Sequence, residues 1–195
     1  MATKMLDKNE RDRRANLTVM QCDGIQPIYV AFYGEAIYYS AERAEAAFAR
    51  FFDCAKEPQS SSVVVSSVHE ALGHAAALSR FFFPVKNETL ARARGARLRQ
   101  LFSIRDDSPL ADRELRNSLE HFDERLDEYL LGDIAGYIFP GPMVQDADLA
   151  DDVLGHIFRL VDPKTETFVL LGRKYSFGPM RNEVERVARL ARKMR

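Results

Sequence analysis

The sequence predicts a mainly α protein: an up-and-down bundle of about four helices, then a β-hairpin with room for a third short strand, then a final helix. Three observations predict it. Between residues 27 and 131, apolar residues recur at spacings of three and four, the period of a helix packed on one side. Proline, serine and asparagine stand where those stretches begin, and glycine or proline where they end. From Leu154 the pattern changes to short β-like runs around a turn, and from Gly178 it returns to helical spacing.

The composition suits one domain with a small appendage. The chain has 195 residues, of which 46% are hydrophobic and 29% charged, and its net charge is −1. So even a balance sets up no global basic field for nucleic acid. Cys22 and Cys54 are far apart and in no metal-like spacing, which fits free thiols in a reducing, cytoplasmic compartment. Met1–Arg14 is charged and lacks the apolar stretch of a signal peptide, and no apolar run reaches the length of a membrane span.

Residues 1–24 read as a flexible arm, because basic Lys8, Arg11, Arg13 and Arg14 alternate with acidic Asp7, Glu10 and Asp12. Pro27 opens a helix over 28–56 whose stripe of Tyr29, Phe32, Tyr33, Phe48, Phe51 and Phe52 makes it central to the core. Glu35, Glu42 and Glu45 interrupt that stripe, either on a solvated side or with one of them facing a cleft. The break at 57–62 leads into a helix over 62–83 that Pro84 ends. Its start, Val63-Val64-Val65, would also suit a short strand. His69-Glu70-Ala71-Leu72-Gly73-His74 resembles the His-Glu-X-X-His zinc signature with one residue too many. Histidines five apart diverge by about 140° on a helix, so no metal site is expected there.

A third helix over 87–105, capped by Asn87, carries Arg92, Arg94, Arg97 and Arg99. Arg92 and Arg99 share a face, and Arg94 and Arg97 form a second row. These arginines are either a solvated face paired with acidic neighbours or a strip that tracks RNA phosphates. Ser108 and Pro109 then start a helix that runs to about Leu131, where Gly132 stops it. Its apolar stripe is Leu115, Leu119, Phe122, Leu126 and Leu130, with Arg116, Asn117 and His121 on the polar side. Asn117 and His121 share a face, while Arg116 points about 140° from His121. One copy cannot close the arginine and the histidine on a small ligand, but two copies about a twofold axis can. Gly136, Pro140, Gly141 and Pro142 make the following stretch irregular. Runs 157–161 and 167–171 flank the turn Asp162-Pro163-Lys164-Thr165, and 174–177 is the further short strand. The last helix, from Gly178-Pro179 to Lys193, turns Val184, Val187, Ala188 and Leu190 inward. Arg181-Asn182 there is a surface pair with no histidine after it.

Arg116 followed at once by Asn117, with His121 after four intervening positions on a late helix, resembles the HEPN superfamily. Its motif is Arg-X4–6-His, with Asn, Asp or His favoured directly after the arginine. The resemblance covers residues 27–135, and residues 25–135 are taken as a HEPN-like bundle with 136–195 packed on it. It implies a homodimer that cleaves RNA without a metal or other cofactor. His121 would be the acid/base, Arg116 would hold the phosphate, and Asn117 would orient the imidazole or the ribose. The residue types suit this: RNA carries its own 2′-hydroxyl nucleophile, imidazole titrates near neutrality, and guanidinium matches phosphate. The product would be a 2′,3′-cyclic phosphate. A toxin or antiviral-defence role is the biological setting this suggests, with an antitoxin protein as a further partner and no membrane. The competing expectation is a non-catalytic helical dimerisation or scaffold module. Glu42, Glu70 and the arginines of the third helix are the open candidates for additional site residues.

Overall fold

The computed structural model describes residues 6–56, 60–132 and 135–194, and of Arg116 the backbone alone. It has a mainly α architecture with a four-stranded sheet near the C-terminus and a closing helix.

The charged N-terminal stretch, expected as a flexible arm, is helical: α1 spans Lys8–Cys22. Its alternating charges meet at helical spacing. Asp7 accepts the Glu10 amide as an N-cap, and Glu10 pairs with both Arg13 and Arg14. Hydrogen bonds from Arg13 and then Arg14 hold the Glu10 carboxyl down at about 2. Mixed charge at i,i+3 and i,i+4 supports a helix as readily as a solvated coil.

A short 3-10 turn at Pro27–Tyr29 leads into α2, Val30–Lys56. The expected break at 57–62 falls partly outside the described residues. α3 then spans Ser61–Phe82 with Ser60 at its N-cap, although the Ser60 side chain makes no capping bond. The valine run is helical, not a strand, because Val64 and Val65 sit in the core on a face shared with Val68 and Leu72. α4, Thr89–Leu101, starts after Glu88, not Asn87, and stops short of residue 105 at a turn where Ser103 has φ 50.

The helix expected to run unbroken to Leu131 is divided. Ser108 caps a 3-10 turn at Pro109–Ala111, α5 covers Glu114–Glu120, and α6 covers Phe122–Leu130. His121 is the joint, with φ −112 and ψ 41. The cause is tertiary. α5 is held to α3 by the Arg80–Glu120 ion pair and by buried Leu115. α6 is drawn to the sheet, where Arg159 lies 4.2 Å over the Phe122 ring and Tyr129 packs edge-on against Phe158.

The stretch expected to be irregular is a strand, β1, Tyr137–Val144. It pairs in parallel with β2, Gly155–Asp162, with an irregularity between Phe139 and Pro142. β1 lies at one edge of the order β1-β2-β3-β4, and edge strands and bulges are where proline is tolerated in a sheet. β2, β3 (Thr167–Leu170) and β4 (Arg173–Ser176) form an antiparallel meander. α7 closes the chain over Gly178–Lys193.

The main core joins both halves of the chain. α2 packs against α3 and α7, and Phe48 and Phe51 meet Phe177 at 5.8 and 5.6 Å between ring centres. Phe82, Leu72, Leu78, Val184 and Val187 are wholly buried with them. Each such side chain contributes ~1.5–3 kcal/mol through burial. Strand alternation splits the sheet: Val161 and Phe168 join this core, while Leu160 and Val169 form a second small cluster with Ala147. No described helix is long and apolar enough to cross a membrane.

Candidate functional site

The joint between α5 and α6 sets the geometry. Asn117 and His121 are exposed one turn apart, and the His121 amide donates to the Asn117 carbonyl at 2.9 Å. The His121 side chain is 56% exposed, with Nδ1 3.5 Å from a Glu124 oxygen. An imidazole so placed is open to solvent and to any ligand on that face. Arg116 occupies the third position of α5; its side chain lies outside the described residues. Glu120, one turn further along α5, is paired with Arg80.

The arginines of α4 divide into two kinds. Arg99 donates to the Phe82 carbonyl at 2.6 Å, pairs with Asp106 at 3.2 Å and lies over the Phe83 ring. Arg94 donates to the Arg80 carbonyl at 3.3 Å, and its Nε is buried with no hydrogen-bond partner. Both side chains thus secure the C-terminal carbonyls of α3, which a helix leaves unpaired. Arg92 is exposed, and Arg97 reaches Gln100 at 3.4 Å. Sequence spacing placed all four on equal terms; their partners separate them.

Three glutamates of α2 and α3 have partners within the fold. Glu42 accepts from the Tyr38 hydroxyl, Glu45 pairs with Arg192, and Glu70 pairs with Arg50. His69 and His74 leave α3 on different sides. His69 is half-buried, 6.3 Å from the Phe168 ring, and burial together with the nearby Arg159 charge lowers its pKa. His74 lies 4.0 Å from Glu70. Among the described residues no three His, Cys, Asp or Glu side chains are grouped to hold a metal ion. Arg181 is bound bidentately by Glu166 and again by Glu185, a structural role.

The sequence did not single out a cavity between α5–α6 and the β3–β4 hairpin. Its volume is about 240 Å³, and Ser118, Arg125, Glu128, Tyr129, Leu171 and Tyr175 contribute to its lining with Arg173 and Leu170. Ser118 and Tyr175, both buried, share a hydrogen bond of 2.9 Å at its wall. Tyr129 is bonded to His156 Nδ1 at 2.9 Å, and His156 Nε2 lies 3.1 Å from the Ala135 carbonyl. A carbonyl only accepts, so Nε2 carries a proton; in the neutral ring Nδ1 then accepts from the Tyr129 hydroxyl. Burial raises the Tyr129 pKa, which keeps that hydroxyl protonated. The signal in the sequence was the spacing Ser118, Arg125, Tyr129, which puts three of the lining side chains on one helical face. The strands' share of the lining had no local signal. No family model, curated protein or solved structure matches the chain.

Proposed function

We propose that the protein is a homodimeric, metal-independent endoribonuclease that uses the RNA 2′-hydroxyl as nucleophile. His121 exchanges the proton, Arg116 holds the phosphoryl oxygens, and Asn117 orients the imidazole or ribose. The Arg116-Asn117…His121 pattern and its likeness to the HEPN motif motivate the reading. The observation that carries it furthest is the accessibility of His121 at the α5–α6 joint, one turn from exposed Asn117. Base or acid catalysis needs an imidazole that a ligand can reach, and His121 is the more open of the two, His69 being half-buried against Phe168. Exposed Arg92 and half-buried Arg97 remain the candidates on α4 for RNA backbone contacts, while Arg94 and Arg99 are engaged with α3. A toxin or defence role, with an antitoxin protein as partner, belongs to the same proposal.

The test is cleavage of transfer and total RNA in EDTA by wild type, Arg116→Ala and His121→Ala. Wild type should cleave to 2′,3′-cyclic phosphate ends, with His121→Ala slower by ~10²–10⁴-fold. Sedimentation should give a dimer. A wild-type protein inert on several RNAs would refute the reading. One observation favours a non-catalytic association module instead: Met20, Ile28, Phe32 and Tyr39 are all exposed on α1, the following turn and α2. Exposed apolar groups of this kind mark protein contact surfaces. That reading expects Phe32→Asp to dissolve the dimer and His121→Ala to change no chemistry.

A further inference from the structure

We infer that the cavity between α5–α6 and the β3–β4 hairpin binds the phosphate of a nucleotide, gripped by Arg125 and Arg173. It rests on the ribonuclease reading for the choice of a nucleotide phosphate over another oxyanion.

The two guanidiniums come from opposite walls, Arg125 from α6 and Arg173 from β4, and both line the same space. Each retains donors. Arg173 gives Nη1 to Glu114 at 2.7 Å, which leaves the rest of a five-donor fork. Arg125 Nη1 is ion-paired with Glu128, also in the lining, at 3.8 Å, a separation too long for a hydrogen bond, so its N–H donors stay available to a phosphate that competes with that carboxylate. The lining also holds hydroxyls: the Ser118–Tyr175 pair keeps one free O–H for a phosphate oxygen, and Tyr129, whose proton goes to His156, can accept from a ribose hydroxyl. Leu170, Leu171 and the Tyr129 ring supply the apolar wall against which a sugar or base can lie. The volume, about 240 Å³, is below the ~300–1,000 Å³ of pockets for drug-sized ligands, so it admits one phosphate with its sugar and not a duplex.

Two further features point to a built site. Leu171 has φ 48, a conformation that disfavours a leucine, and it holds that side chain in the cavity wall directly before Gly172 and Arg173. Strain of this kind clusters at ligand sites. Arg125 is also one turn from His121, and its amide donates to the His121 carbonyl at 3.0 Å. Four residues of helix advance ~6 Å, so the backbones of Arg125 and His121 lie one turn apart on the same segment.

The experiment measures binding of inorganic phosphate, 5′-AMP and a 2′-O-methyl oligoribonucleotide, which cannot be cleaved, by calorimetry on the full chain. The proteins are wild type, Arg125→Gln, Arg173→Gln and, as a surface control, Arg105→Gln; thermal melting checks that each folds. Wild type and Arg105→Gln should bind, and each cavity variant should bind about tenfold more weakly, the loss expected for a charged hydrogen-bond partner. Tighter binding of the oligonucleotide than of 5′-AMP identifies an RNA strand as the source of the phosphate; the reverse identifies a free nucleotide. Failure of wild type to bind any of the three, or cavity variants that bind like wild type, overturns the inference. Binding that needs both arginines in a protein that cleaves no RNA leaves the cavity intact and refutes the ribonuclease reading alone. Cleavage that survives both substitutions at full rate does the opposite.

Discussion

The α2–α3–α7 core and the α5–α6 segment are built on different principles. In the first, phenylalanines, leucines and valines from both halves of the chain are sealed from water. In the second, only α5 reaches that core, through Leu115; α6 buries no residue, and the segment is otherwise attached by polar and aromatic contacts: the Arg80–Glu120 ion pair, a guanidinium over the Phe122 ring, the Tyr129 edge and its bond to His156, and the Ser118–Tyr175 hydroxyl pair. The difference separates stability from chemistry. A segment with few buried apolar contacts opens and repositions at low cost, and the proposed site lies on it.

The sharpest way to break that contrast is to truncate one side chain in each region. Phe82→Ala empties a wholly buried site that touches Phe102 at 5.6 Å between ring centres, and should cost ~3–5 kcal/mol in urea unfolding. Leu130→Ala on α6 removes a side chain 49% exposed and should change stability by under ~0.5 kcal/mol. Equal losses would mean that α6 belongs to the cooperative core. The next effect lies at the link between the regions. Ser118→Ala leaves the Tyr175 hydroxyl, in a residue only 8% exposed, without its partner, and should cost ~1–3 kcal/mol. Adding Tyr175→Phe should restore much of that loss, because an apolar pair leaves no buried group unsatisfied. A double mutant no better than the single would show that the bond is not what holds α5 to β4.

What the sequence disclosed follows the same division. Helical spacing with Pro27, Pro84 and Pro179 located the core helices closely, since their stripes and stops are local properties. The hairpin at 157–171 was legible from its β-branched runs and the Asp162 turn, in which the Asp162 carboxylate takes the Lys164 and Thr165 amides and the Thr165 hydroxyl. Three features were not legible. α1 was hidden because ion-pair spacing and loose mixed charge look alike in one dimension. β1 was hidden because prolines 140 and 142 read as breakers unless the strand is known to lie at an edge. The joint at His121 has no proline or glycine to announce it; it is imposed by Glu120 on one side and by Phe122 and Tyr129 on the other. Of the candidate site, Asn117 and His121 were found by motif. The cavity needed Arg173 from a strand distant in sequence, which no spacing rule can supply.

A pH experiment sharpens the contrast further. Glu183 of α7 has its pKa lowered, first by hydrogen bonds from Arg186, against the opposing effect of burial, with Ser108 adding a weaker bond. A carboxylate whose folded pKa lies below its unfolded value of ~4.3 contributes stability that is complete above that value and lost as pH falls through the folded pKa. Acid titration of unfolding should therefore show a loss below about pH 4 in wild type that is shallower in Glu183→Gln. At neutral pH that variant should be ~1–2 kcal/mol less stable, the worth of charge-assisted bonds in a half-buried setting. An unchanged acid limb would remove Glu183 from the groups that fasten α7 to the turn at Ser108.

A modest effect is expected at the hairpin tip beside the cavity. Leu171 and Gly172 have φ 48 and 72, so both central residues of this two-residue turn are left-handed, as a right-twisted hairpin favours. A Cβ added at Gly172 meets nothing within 4 Å, so Gly172→Ala pays backbone strain alone, ~1 kcal/mol. The turn is then carried by two strained residues in place of one, immediately before Arg173. If the cavity depends on that tip, the alanine variant should hold nucleotide more weakly while unfolding only slightly more easily. If phosphate binding is untouched while stability falls by the expected amount, the strained leucine is a feature of the hairpin and not of the site, and the case for Arg173 must rest on its own substitution.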